Sequence, residues 1–393
     1  MTWRDQLEVR VERWIEAGLV DAKTAERILQ FESAQERRAA LRWPVFLAMV
    51  FGGILFAAGI TLFVAAHWSD LSPAMRFSLL LLMLGVCHLG GAASAARFPA
   101  LSTTLHGVGT VTLGAAIFLA AQIFNLHENW ATGVLLWAIG AVAGYLLLRS
   151  WVQAAALALL VPAWLISQWS TETEWHSGGE RLLAVGLILT ALCYLSARIA
   201  GQESASRRTL VWIGGIALLP CVAIAIAIVI DNVPESYVAG QNPPLSSVTL
   251  AVGWTVALLA PLVLAWFLRG PAAWMNVVCA AWAYALILAA SYSRSFGPHE
   301  YHQSLLATLA LYALLAIGSA GLVVWGLYEK RKERLNLGIA GFAISVLFFY
   351  FDSFMGKLGR SASLLILGVL CLLGGYVLEI TRRKLMARME MSR

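Results

Sequence analysis

Charged residues are scarce in this sequence, and that scarcity already limits the kinds of protein it can encode. Asp, Glu, Lys and Arg make up only 13% of the 393 residues, whereas hydrophobic residues make up 60%. An ordinary soluble domain carries about 25% charged residues. The composition therefore argues against a water-soluble globular protein and favours one that is embedded in lipid.

The sequence also lacks the motifs of common catalytic and cofactor sites. It has no P-loop, no GxGxxG following a strand, and no HExxH or GxSxG. Its five cysteines form no CxxC pair, which argues against a zinc site or a disulfide framework. We therefore predict a protein that is not an enzyme and has no cofactor and no resident metal.

What the sequence does have is a series of apolar runs about 20 residues long, the length that crosses a bilayer as a helix. A β-barrel would show short alternating segments, whereas these runs are continuous. The pattern predicts an all-α, polytopic membrane protein with about 12 transmembrane helices. The predicted spans are residues 43–66, 74–96, 102–125, 130–148, 151–169, 181–200, 209–230, 247–268, 272–290, 303–327, 335–351 and 361–380. Tight turns are expected at Arg149-Ser150 and at Arg269-Gly270-Pro271, where the intervening sequence is shortest.

The distribution of positive charge predicts the orientation of these spans. With both termini in the cytoplasm, only five of the 28 Lys and Arg residues fall outside, at Arg76, Arg181, Arg294, Lys357 and Arg360. Lys and Arg are retained on the cytoplasmic side during insertion. We therefore predict a multi-pass membrane protein with both termini in the cytoplasm. The net charge of +6 then reflects topology and attraction to anionic lipid, and no nucleic-acid partner is expected.

Three regions follow from this assignment. Residues 1–42 form a charged cytoplasmic segment, residues 43–380 form the helix bundle, and residues 381–393 form a basic cytoplasmic tail. The lipid bilayer is the partner that this organisation implies.

The cytoplasmic segment is predicted to be a small helical hairpin. Leu7, Val11 and Trp14 share one helical face, Gly18 ends the first helix, and Asp21 can cap the second. Its balanced charge provides no basic recognition face, which argues against a DNA-reading helix-turn-helix. The hairpin either lies against the membrane or the bundle, or binds a protein partner.

Three stretches carry a resemblance to a known family. They are "WIEAGLVDAKTAERIL" near the N-terminus, "VAAHWSDLS" at the end of the first span and "GAAIFLAAQIFNL" in the third. Together they resemble a bacterial membrane-protein family catalogued as domain of unknown function 2157, over about the first 150 residues. The resemblance implies a multi-pass protein of the bacterial inner membrane and implies no particular activity.

Polar residues gather at the predicted periplasmic ends of three spans. They are His67, Asp70, Gln122, Asn125 and Asp352. Most can be explained as the interfacial start of a loop, but Gln122 lies about a turn inside the boundary and needs a partner. Either Gln122 bonds across a helix interface, or the group lines a ligand-binding polar cavity.

Two pairs of histidines form separate candidate sites. His88 and His106 lie within consecutive spans, and the short turn between these spans could bring them together. They form either an ionisable functional site or a packing contact with a neighbouring carbonyl. His299 and His302 are three residues apart in a predicted periplasmic loop, and they are candidates for a metal or proton-responsive site.

Two classes of function therefore remain open. The first is transport or binding of a small molecule or ion through a polar cavity near the periplasmic face, for which Pro162, Pro220 and Pro261 could mark unwound segments. The second is a structural, scaffold or sensory role that acts through the N-terminal hairpin.

Overall fold

A computed structural model describes most of the helix bundle. The described residues are 71–124, 129–173, 179–198, 203–231, 245–293 and 301–353, together with residues 11, 13–27, 29–31, 51, 55, 367–369, 372–376, 379–380 and 383. This part of the chain is mostly helical and contains no strand, which confirms the all-α prediction for it.

The described part of the chain contains ten long helices. They are α1 (Pro73–Ser94), α2 (Pro99–Ile123), α3 (Trp130–Leu148), α4 (Trp151–Thr173), α5 (Glu180–Leu195), α6 (Ala205–Asp231), α7 (Ser247–Arg269), α8 (Trp274–Ser293), α9 (Tyr301–Tyr328) and α10 (Lys332–Ser353). Each corresponds to one predicted span, within a few residues at most ends.

Eight stretches of the described residues are long and apolar enough to cross a membrane, and the longest of them, Ser247–Tyr292, contains both α7 and α8. Helix α5 has 16 residues, slightly fewer than the ~17–25 that a spanning helix needs. The structure describes two residues of the first predicted span, 43–66, and ten of the twenty residues of the last, 361–380. The number of twelve spans and the orientation of the termini therefore stay predictions.

Both tight turns that the sequence predicted are present. Arg149 has a φ of 46° and ends α3 directly before α4 begins. A short 3-10 helix, Gly270–Ala273, joins α7 to α8, and Gly270 has a φ of +59°. By contrast, Pro162, Pro220 and Pro261 lie inside continuous helices, so the expectation that they mark unwound segments is wrong.

Helix α5 lies at the centre of the core. Its side chains from Leu182 to Leu195 are largely buried, and they pack with apolar residues of α6, α8 and α9. Helices α5 and α6 approach closely at Gly214, where an added Cβ would come within 2.3 Å of the Leu195 amide nitrogen. Only glycine lets two helix backbones approach this closely.

The chain divides into two compact units, Met1–Arg76 and Phe77–Arg393. In the first unit, Gly18 has a φ of +65° in the turn after the first helical segment. The Thr24 amide donates to the Asp21 carboxylate at 3.3 Å, which confirms Asp21 as the cap of the second segment. Val11, on the predicted apolar face, is buried. The boundary predicted between residues 42 and 43 lies outside the described residues.

Candidate functional site

Helices α1 to α4 each contribute to a group of polar side chains, the buried polar cluster. Its members are His88 on α1, His106 and Thr110 on α2, Trp137 on α3 and Gln153 on α4. His106, Thr110 and Gln153 are buried. Polar groups inside a membrane-spanning bundle must find partners within the protein, since lipid offers none.

The two histidines of the cluster contact each other directly. Their Nδ1 atoms are 3.1 Å apart, which is a hydrogen-bond distance, and their ring centroids are 5.4 Å apart. At this distance one Nδ1 carries a proton and donates it, while the other accepts. The structure thus brings together the two intramembrane histidines that the sequence singled out.

Gln153 on α4 forms hydrogen bonds with α2, and its side chain is fully buried. Its Nε2 donates to Thr110 Oγ1 at 2.7 Å and to the His106 carbonyl at 3.4 Å. The Thr110 hydroxyl lies 3.0 Å from the same carbonyl, and Trp137 Nε1 donates to the Thr110 carbonyl at 2.7 Å. Neither Gln153 nor Thr110 was predicted from the sequence, although a glutamine near the start of an apolar span was a usable signal.

The predicted periplasmic group is only partly described. Gln122 is exposed near the end of α2. His67, Asp70 and Asn125 lie outside the described residues, and for Asp352 the structure describes the helical backbone but not the side chain. Convergence of these residues on one cavity therefore stays a prediction.

The structure does not describe the side chains of the other histidine pair, His299 and His302. His299 lies outside the described residues, and His302 is in the first turn of α9 with a side chain that is not described. Within the described part of the chain, no three His, Cys, Asp or Glu side chains are grouped so that they could hold a metal ion.

A second feature is a large cavity of about 1220 Å³ between α6, α8, α9 and α10. Most of its lining is apolar, and examples from the four helices are Val222, Trp282, Leu315 and Ile344. Val278, Ile317, Val324 and Phe348 line it and are more than half exposed. The cavity therefore opens through the side of the bundle, between helices of membrane-spanning length.

The third feature is a buried ionic cluster, formed by Arg269, Trp325, Glu329 and Arg334. Arg269 and Arg334 are 4% and 1% exposed, and both form ion pairs with Glu329. Arg334 Nη1 lies 2.6 Å from Glu329 Oε2, and its guanidinium carbon lies 4.4 Å from the centre of the Trp325 ring. Arg269 also donates to the Ser196 carbonyl at 2.6 Å, so the cluster joins the ends of α5, α7, α9 and the start of α10.

The electrostatics of the cluster keep Glu329 ionised. Burial by itself raises the pKa of Glu329, but the hydrogen bond from Arg269 and the positive charge of Arg334 outweigh it and leave the pKa below its ordinary value. Two guanidinium groups thus share one carboxylate, so the buried ionic cluster has a formal net charge of +1.

More exposed ion pairs surround this cluster. Glu203 contacts Arg331 and Arg198 at 2.8 Å each, and Arg198 also contacts Glu333 at 2.7 Å. Side-chain hydrogen bonds from Arg331 and Arg198 lower the pKa of Glu203 to about 2. These arginines come from connections that the sequence assigned to the cytoplasm, and their contacts show that those connections meet at one end of the bundle.

A match to a family model covers α1, α2, α3 and the first residues of α4. No curated protein and no solved structure matches the chain. This match spans the whole buried polar cluster, from His88 to Gln153, but not the cavity or the buried ionic cluster. Residues 12–154 match the model of the family described as Predicted membrane protein (DUF2157), and this confirms the family that the sequence motifs resemble.

Proposed function

We propose that this chain is a bacterial inner-membrane protein that binds a small, hydrocarbon-rich ligand in the cavity between α6, α8, α9 and α10. The observation that carries the proposal is the cavity itself, with its volume of about 1220 Å³ and its mainly apolar lining. Small-molecule sites usually enclose about 300–1,000 Å³, so the space is ample for a long acyl or isoprenoid chain. The proposal assigns no catalytic step to the protein.

The lining favours a hydrocarbon over a sugar or an ion. Burying a polar ligand without hydrogen-bond partners costs several kcal/mol, and this wall offers few such partners. Its Ser345 hydroxyl, for example, already donates to the Gly341 carbonyl of the same helix at 2.8 Å. This differs from the polar cavity that the sequence predicted at the periplasmic face, and that predicted cavity would be a separate site.

The exposed edge of the cavity supports entry from the bilayer. Ile317 is 60% exposed and lies near the middle of α9, while Phe348 on α10 is 61% exposed. A gap between membrane-spanning helices that opens near the middle of a helix adjoins lipid chains and not water. The ligand is therefore expected to partition into the membrane first and then to move sideways into the protein.

The experiment compares compounds that copurify with the wild type and with cavity-filling variants. Ala223 and Ala227 are exposed lining residues one turn apart on α6, so Ala223→Trp and Ala227→Trp would fill the space from one wall. Ile224→Trp is the matched control, because Ile224 is exposed on the same helix but does not line the cavity.

Each protein would be purified in mild detergent, and its bound hydrophobic compounds would be quantified by mass spectrometry. We expect the wild type and Ile224→Trp to retain one class of compound that both cavity variants lose at least severalfold. Equal retention by all four proteins, or no retained compound in the wild type, would contradict the proposal.

A second candidate function, a scaffold or sensory role, is favoured by the surface of the N-terminal hairpin. Leu19 and Phe31 are 73% and 66% exposed, and Trp14 and Ile15 are also exposed. Exposed apolar side chains on a small element are typical of a protein-binding or membrane-binding surface.

A photo-crosslinking residue placed at Leu19 of the full chain in cells tests this role, with Lys23 as the control position. One discrete protein adduct that is specific to position 19 would support it. Adducts to lipid alone would contradict it.

A further inference from the structure

The contact between His88 and His106 rests on a reciprocal arrangement of two short sequences. Helix α1 carries His88 with Gly91 three residues later, and α2 carries His106 with Gly109 three residues later. A Cβ added at Gly91 would lie 2.9 Å from His106 Nε2, and one added at Gly109 would lie 2.7 Å from His88 Nε2. Each imidazole therefore occupies the space that the glycine of the opposite helix leaves open.

We propose that His88 and His106 form an intramembrane site that takes up a single proton, while the hydrogen bond between the two Nδ1 atoms is kept. In the neutral pair, one ring donates its Nδ1–H to the other Nδ1 and keeps a lone pair on its own Nε2. An added proton bonds to that Nε2 lone pair. Both Nε2 atoms then carry hydrogen, and the pair has a charge of +1 with one proton between the Nδ1 atoms.

A second added proton is incompatible with the contact. It would have to bond to the accepting Nδ1, and two N–H groups would then face each other at the 3.1 Å that separates the Nδ1 atoms. Two positive charges at this distance repel strongly in a medium of low dielectric constant. The pair therefore takes up one proton for as long as the rings stay in contact.

The surroundings of the pair leave both rings available for this proton. Gln153 and Thr110 bond to the backbone carbonyl of His106 and not to its imidazole. Within the described residues, His106 is the one titratable side chain that acts on His88, and the neighbouring Cys87 contacts Thr112. The other titratable residues on α1 to α4 and in the connections between them are Arg76, Arg97, His127, Glu128, Tyr145, Arg149 and Glu172.

The first measurement counts protons. Uptake by the wild type between pH 8 and pH 5 is compared with uptake by the double variant His88→Gln/His106→Gln, in which the amides retain hydrogen bonding but do not titrate. We expect a difference of one proton per chain. A difference of two protons, or of none, would overturn the proposal.

The second measurement detects the shared hydrogen bond directly. In protein with ¹⁵N-labelled histidine, an N–H···N bond gives a through-bond coupling between the two Nδ1 nuclei, which the wild type should show. Gly91→Ala should abolish this coupling because its methyl group displaces the His106 ring. Gly90→Ala is the matched control and should retain it, because a Cβ there meets Leu105 at an ordinary 3.5 Å.

The coupling in the wild type tests the proposal even when Gly91→Ala fails to fold. Absence of coupling in folded wild type would overturn it. So would stoichiometric binding of Zn²⁺ or Cu⁺ that the double variant loses, because the two rings would then be ligands for a metal and not for a proton.

Discussion

Arg334 and Glu329 form an ion pair across the turn that joins α9 to α10, with Nη1 and Oε2 2.6 Å apart. Arg269, from the end of α7, contacts the same carboxylate. One glutamate therefore compensates two arginines whose side chains are almost completely removed from solvent. This relationship makes Glu329 the residue on which that end of the bundle depends most.

Replacing Glu329 with Gln should destabilise the protein strongly, because both buried arginines would lose their counter-ion. Breaking a buried ion pair typically costs about 3–5 kcal/mol, whereas an exposed pair contributes about 0–1 kcal/mol. Glu333→Gln is the control, since Glu333 pairs with Arg198 but is 41% exposed. Unfolding in mixed micelles measures both changes, and equal losses for the two variants would contradict this account of the cluster.

Acidification should weaken the same end of the bundle. The pKa of Glu203 is about 2, and that of Glu329 also lies below the ordinary 4.5. A group whose folded pKa is depressed adds stability above its unfolded pKa and loses it as the pH falls through the folded value. Thermal unfolding should therefore shift to lower temperature from about pH 4.5 downwards. Glu203→Gln should make the unfolding temperature fall less steeply with pH. The same pH dependence in the variant and the wild type would contradict a contribution from Glu203.

Substitutions of two glutamines compare how much a buried and an exposed polar side chain contribute to stability. Gln153→Leu should lower stability by about 1 kcal/mol, as loss of a membrane hydrogen bond typically does, because Thr110 loses its 2.7 Å donor. Gln122→Leu should have little effect, since Gln122 is exposed. Unfolding of both variants in micelles makes the comparison. A larger loss for Gln122→Leu would support the predicted helix-interface role of that residue.

Reporter fusions test the predicted topology. Fusions after Arg208 and after Lys332 should report the cytoplasm, and fusions near Glu174 and Asn242 should report the periplasm. The reason is that positively charged connections are retained inside during insertion. Contacts among Arg198, Arg331 and Glu203 place two of these connections at the same end of the bundle. A periplasmic signal after Lys332 would rule out the twelve-span arrangement.

The sequence alone was enough to predict the helical membrane architecture, and the physical reason is the solvent. Lipid provides no hydrogen-bond partners for the backbone, so each long apolar run has to be a helix. The turns at Arg149 and Gly270 followed from the few polar or helix-breaking residues between runs. The sequence also indicated that His88 and His106 could meet, because a short turn keeps consecutive helices close, and the structure shows this contact.

Only the tertiary structure revealed which side of each helix faces its neighbours. A helix that is apolar all round has no sequence pattern that marks its buried face. For that reason Gln153 and Thr110 were overlooked, and the reciprocal packing of His88 on Gly109 and His106 on Gly91 was not apparent. From the sequence, Arg269 and Arg334 indicated only which side of the membrane their connections lie on. In the folded chain both contact Glu329, which is 60 residues from Arg269 and five residues from Arg334.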